Sequence, residues 1–150
     1  MSIRYAGTSK ENLALDTFVK LFRAARATKE RIDGQNTNGD LSESQFGTLE
    51  MLFHLGPLHQ KRIGEKLLIS KSNVVGVIDA LEKRGLVQRQ RSLEDRRCIF
   101  VHITENGRCL IQELLPGHVA AIVEALDVLT ASEQTELGHL CRKLGLGEKL

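Results

Sequence analysis

The hydrophobic period of this chain changes sharply at Arg84-Gly85, and that change limits the architectures open to it. Before it, Val74, Val77, Ile78 and Leu81 recur at the i, i+3, i+4, i+7 spacing of a helix with one inner face. After it, Leu86–Arg91 and Cys98–Ile103 read as two strands, joined by the charged loop Ser92–Arg97. Ser70 can cap the helix, which then spans Lys71–Lys83, and Gly85 can take the left-handed conformation that stops it. The chain therefore runs from a capped amphipathic helix straight into a β-hairpin with a basic tip.

The flanks are helical. Glu11–Ile32 carries Leu13, Leu15, Phe18, Val19, Leu21 and Phe22 at amphipathic spacing, and Gly34–Asp40 is a polar loop. Ser42-Glu43-Ser44-Gln45 is a capping box opening a helix with Phe46, Leu49, Leu52 and Phe53 inside, ending at Gly56-Pro57. A short helix over Leu58–Leu67 follows. Thr104 caps a long helix from Glu105 to about Leu129, which Pro116-Gly117 is expected to bend or interrupt. Thr130-Ala131-Ser132-Glu133 opens a last helix with Leu137, Leu140, Cys141 and Leu144 on one face and Gly145 as its stop. The order is mainly α with a small β-hairpin wing, the winged helix-turn-helix arrangement. We read residues 1–150 as a single domain, with terminal helices at about 10–33 and 105–145 flanking a winged lobe at about 42–104.

Charge follows the same division. The formal net charge is +2, yet Pro57–Arg97 holds ten Lys and Arg against five Asp and Glu, a net of +5. The remainder, with 11 basic and 14 acidic residues, is at −3. Such asymmetry is the footprint of a module that meets a polyanion, though a solvated mixed-charge surface gives the same count. No run of apolar residues approaches the ~18 of a membrane span, and Met1–Leu13 lacks the apolar stretch of a signal peptide, so a cytoplasmic protein is expected. GxSxG, HExxH and P-loop patterns are absent, which argues against an enzyme. The five histidines have no ligand spacing, so neither a metal nor another cofactor is expected.

The words Ser72-Asn73-Val74-Val75, Ile78-Asp79-Ala80-Leu81-Glu82-Lys83-Arg84-Gly85-Leu86-Val87, Asp95-Arg96-Arg97 and Ile103-Thr104-Glu105-Asn106-Gly107 carry a resemblance to the MarR family of bacterial transcription regulators. The resemblance covers essentially the whole chain. It implies a homodimer interlocked through the first and last two helices, binding to palindromic double-stranded operators, and release by a small, often aromatic, ligand. The apolar terminal helices support a dimer separately, because Leu110, Ile111, Leu114, Leu115, Val119, Ile122, Val123, Leu126 and Leu129 exceed what one small lobe can cover.

Candidate site residues follow. Arg97 at the hairpin tip suits the narrow, electronegative minor groove, with Asp95 orienting it, roles the family resemblance also implies. Arg89, Arg91 and Arg96 suit phosphates, as do Lys61 and Arg62 at the start of the third helix. Ser70, Lys71, Ser72, Asn73 and Gly76 form the outward face of the recognition helix; Asn73 can pair with adenine, and Ser70 either contacts DNA or simply caps. Many family members carry Arg or another long polar side chain where Gly76 stands, so base reading here is expected to be weaker or shifted. Gly76 costs ~1 kcal/mol of helix propensity, for close backbone approach to DNA or for packing. An effector pocket would draw on Phe18, Phe22, Phe46, Phe53 and His54, each of which also reads as plain core. Cys98, Cys109 and Cys141 sit at packing positions, and the first helix, where some relatives sense redox state, has none. A redox-sensing regulator of this fold is one alternative; a winged-helix protein-interaction module that never touches DNA is the other.

Overall fold

The computed structural model describes residues 5–147; the first four and last three residues of the expected domain lie outside them. Helix α1 (Ser9–Asp33) is followed by α2 (Glu43–Leu55), strand β1 (Leu58–His59), α3 (Gln60–Leu67), α4 (Lys71–Lys83), β2 (Val87–Arg91), β3 (Ile99–Ile103), α5 (Glu105–Leu126) and α6 (Ala131–Leu146). The fold is mainly helical with one small antiparallel sheet.

Local chemistry places the helix starts. At α2, Ser42 Oγ accepts from the Gln45 N–H at 3.2 Å and Gln45 Oε1 accepts from the Ser42 N–H at 3.0 Å. Thr130 and Glu133 repeat this box at α6, and Thr8 with Glu11 does so at α1, starting that helix two residues earlier than its apolar pattern. Gly85, at φ 71°, ends the α4 segment as expected.

Five expectations are corrected. Leu58 and His59 are not the first turn of α3; they form β1, paired with Val101 and Phe100, so the hairpin is part of a three-stranded sheet in the order β1-β3-β2. Pro116 lies inside a continuous α5, and α6 runs past Gly145 to Leu146, with Gly147 left-handed at its cap. Cys109 and Cys141 are exposed, and Cys98 is half-buried. Finally, α5 is long and apolar enough, by length and composition, to cross a membrane. Its first half, however, is built into protein: Gly107 and Ile111 are buried in the winged core.

The chain divides into two compact units, residues 37–118 and residues 1–36 with 119–150. In the first, Leu49, Leu52, Ile63, Ile78, Leu81 and Val101 are almost wholly buried, so α2, α3, α4 and the sheet share one core. In the second, Ala121 and Ala125 are the buried residues among those described, and neither α1 nor α6 buries any.

The turn between α3 and α4 carries strain. Leu68 adopts φ 55°, a left-handed conformation disfavoured for residues with a Cβ, while 91% exposed. Leu68→Gly loses almost no burial and relieves that strain, so urea unfolding should show a gain of roughly 0.5–1 kcal/mol net of glycine's unfolded-state entropy. A loss of stability would show that the leucine makes a contact worth more than its strain.

Candidate nucleic-acid interface

The tip of the wing is organised by Asp95. Strands β2 and β3 pair from Val87↔Ile103 to Arg91↔Ile99, and the loop closes with Ser92 N–H donating to the Cys98 carbonyl and Cys98 N–H to the Asp95 carbonyl, both at 2.9 Å. Asp95 Oδ1 accepts from the Arg97 backbone N–H at 3.0 Å and from Arg97 Nε at 3.3 Å. Those bonds, the backbone one foremost, hold the Asp95 carboxyl below its ordinary pKa. A group depressed in this way loses its partner only as pH falls below the usual carboxylate range, so the brace is ionised throughout the neutral range. Arg97, with its side chain 92% exposed, therefore leaves the wing in a direction set by Asp95. Arg91 and Arg96 are exposed beside it.

On α4, Val74, Ile78 and Leu81 are buried, and Lys71, Ser72, Asn73 and Gly76 face outward. Ser70 is the cap: its Oγ accepts from the Asn73 N–H at 3.2 Å and lies 3.1 Å from Ser72 Oγ. On α3, Lys61 is exposed, and Arg62 Nη1 lies 3.3 Å from Glu65 Oε2 in an exposed pair of little energetic weight.

Arg89 departs from its expected role. Its side chain is 22% exposed, and Nη1 meets Asp79 Oδ1 at 2.6 Å and Glu82 Oε1 at 3.2 Å. Nε donates to Gln60 Oε1 at 2.9 Å and Nη2 to the Val75 carbonyl at 3.3 Å, while Glu82 Oε2 accepts from the Arg89 N–H at 2.8 Å. A guanidinium with its donors engaged this way holds the wing strand to α4 and α3 instead of reaching for phosphate. Sequence reasoning missed Asp79, Glu82 and Gln60 as its partners; the one local signal was two carboxylates at i, i+3 on a helix otherwise apolar inside.

A cleft of about 600 Å³ brings together Lys61, Arg62, Lys71 and Arg97 with the single acid Glu65, while Ser70, Ser72, Asn73, Gly76, Arg91 and Arg96 lie outside its lining. Four cations around a concave surface, from α3, α4 and the wing, focus positive potential toward a polyanion. Arg89 holds together the elements that carry them.

The aromatic residues expected to line an effector pocket fall in both units. Phe18 and Phe22 stack along α1 at 6.0 Å between centroids, both well exposed. Phe46 is instead a core residue, 3% exposed and packed on His118 at 4.5 Å, because it occupies the inner face of α2. Phe53 is half-buried, with its ring edge against the exposed His54 and the Arg108 guanidinium 5.6 Å from its centroid. Among the described residues, no group of three or more His, Cys, Asp or Glu is placed to hold a metal ion.

The chain also resembles known proteins in sequence and fold. The sequence profile described as the MarR family matches residues 41–99. The chain is 32% identical to the HTH-type transcriptional regulator MhqR of Bacillus subtilis over 136 residues, 91% of this chain and 94% of that one. Among solved structures it resembles Sco3205, a MarR family transcriptional regulator of Streptomyces coelicolor in complex with DNA, at a TM-score of 0.79 and 25% identity, covering all of this chain and 94% of that one. It also resembles BpsR of Bordetella bronchiseptica, whose DNA binding is regulated by 6-hydroxynicotinic acid, at a TM-score of 0.72 and 25% identity over 84% of this chain and 98% of that one.

Proposed function

Because the chain belongs to the MarR family, we propose that it is a cytoplasmic, homodimeric, sequence-specific DNA-binding regulator that represses transcription until a small aromatic ligand releases it. The observation that carries the DNA reading is the Asp95-braced Arg97 at the rim of a cleft lined by Lys61, Arg62 and Lys71. In this reading α4 enters the major groove, Arg97 the flanking minor groove, and Arg91, Arg96, Lys61 and Arg62 meet phosphates. No cofactor or metal is needed.

The homodimer rests on the terminal unit, whose apolar side chains are uncovered in a single chain. Two copies joined there would carry two recognition helices to half-sites ~34–36 Å apart. Release is then differential binding: a ligand that prefers a spacing other than that of the operator shifts the dimer away from DNA. The aromatic class is carried over from the regulation of BpsR by 6-hydroxynicotinic acid.

Mobility shift on duplexes from the region upstream of the protein's own coding sequence tests the DNA reading. Arg97→Ala should weaken specific binding about 10- to 100-fold at moderate salt while leaving the fold intact. Wild-type binding should fall steeply with salt, since each neutralised phosphate contributes about −0.9 to the log–log slope. A slope near zero would falsify the DNA reading, and an unaffected Arg97→Ala would remove the wing from it.

A further inference from the structure

We propose that two carboxylates of α4, Asp79 and Glu82, promote DNA binding without touching DNA, as positioning residues that act through Arg89; this rests on the DNA-binding reading above.

Through space alone, negative charge beside a cationic cleft opposes the approach of a polyanion. Both carboxylates nevertheless have a defined partner. Arg89 Nη1 lies 2.6 Å from Asp79 Oδ1 and 3.2 Å from Glu82 Oε1, and the second Glu82 oxygen accepts from the Arg89 backbone N–H. Two carboxylates on one guanidinium leave an excess of negative charge, so this cluster is no source of attraction for phosphate. Its effect is mechanical. Among the described residues, every side-chain hydrogen bond and ion pair that joins β2 or β3 to α3 or α4 is made with Arg89. Buried Val87 and Val101 hold the sheet against the core, and a planar guanidinium with acceptors on several sides adds a fixed direction to that packing.

The direction matters because of what lies in front of it. Gln60 and Val75, which accept from Arg89 Nε and Nη2, line the same cleft as Lys61, Arg62, Lys71 and Arg97. Arg89 thus ties together, from behind, the three walls that carry the cations: α3, α4 and the wing. DNA must meet α4 and Arg97 at one mutual offset, and an offset set before binding lowers the cost of ordering them on the duplex. Without Asp79 and Glu82, Arg89 would keep only Gln60 and the Val75 carbonyl. The wing would then sample offsets that the operator does not fit.

The two effects of these acids have opposite signs, and that makes them separable. The test uses the full-length protein, the duplex that wild type enriches from a randomised pool, and an unselected duplex. Asp79→Ala combined with Glu82→Ala removes two negative charges, yet it should weaken binding to the enriched duplex roughly tenfold. Binding to the unselected duplex should stay unchanged or tighten, because it follows charge and not register. Arg89→Lys keeps the positive charge but cannot reach acceptors on several sides, so it should lose about as much on the enriched duplex. If the double variant binds the enriched duplex as tightly as wild type or more tightly, the carboxylates act only through space and the inference is overturned. An equal loss on both duplexes, as partial unfolding would give, also overturns it, as does wild-type binding by Arg89→Lys. If wild type enriches nothing and shows no salt-dependent binding to any duplex, the DNA reading falls, and this inference with it.

Discussion

Gly107→Ala is expected to destabilise the winged unit by about 3 kcal/mol or more. A Cβ at position 107 would lie 2.1 Å from the Leu86 carbonyl oxygen and 2.9 Å from the Ile103 side chain. The obstacle is backbone and has little room to yield. The Leu86 carbonyl accepts from the Thr104 N–H at 3.1 Å, and the Leu86 N–H donates to the Leu81 carbonyl at 3.0 Å. Thr104 Oγ1 donates to the Gly85 carbonyl at 2.6 Å and accepts from the Gly107 N–H at 3.1 Å. One closed set of bonds thus joins the end of α4, the root of the wing and the first turn of α5, and Gly107 is where the chains touch. Pushing Leu86 away breaks that set and moves β2. Urea unfolding followed by circular dichroism should show the midpoint fall well below wild type, with DNA binding lost in proportion to the unfolded fraction. An unchanged midpoint would mean that α5 can shift freely. The same substitution at Gly76 has the opposite expected sign, because there the Cβ meets nothing.

The second large effect lies in the terminal helices. Phe18, Phe22, Val119, Val123, Leu137, Leu140 and Leu144 are all exposed in one chain. Burying a large apolar side chain is worth about 1.5–3 kcal/mol, so leaving this many in water is a large forfeited stabilisation that a second copy would recover. In the homodimer proposed above, Leu140→Asp and Phe22→Asp would each place a charge in the interface, at about 3–5 kcal/mol when buried without a partner. Sedimentation at micromolar concentration should shift from dimer to the 16.7 kDa monomer. Operator affinity should drop at least about 100-fold, because a monomer holds one half-site. If wild type itself sediments as a monomer, the proposed homodimer falls; if wild type is a dimer and both variants sediment as it does, the terminal helices are not its interface.

Much of the winged unit was legible before any coordinates. The α4 boundaries, its Ser70 cap and its Gly85 stop follow from residues within one or two turns of each other, as do the boxes at Ser42 and Thr130. Asp95 and Arg97 could be paired because they stand two residues apart in one loop. The exposure of Cys141, Leu137 and Leu140 was not legible, because helical spacing marks an apolar face without saying whether its cover belongs to the same chain.

Spacing and capping chemistry along the chain thus determined the helices, the hairpin, the basic loop and the brace at its tip, since each depends on neighbours in sequence. Only the tertiary structure decided that Leu58-His59 adds a third strand, that Arg89 ties the wing strand to α3 and α4, and that Gly76 faces open space while Gly107 faces a carbonyl. Those outcomes turn on groups from separate segments meeting across the core, and no local period records which carbonyl, carboxylate or void a side chain will find.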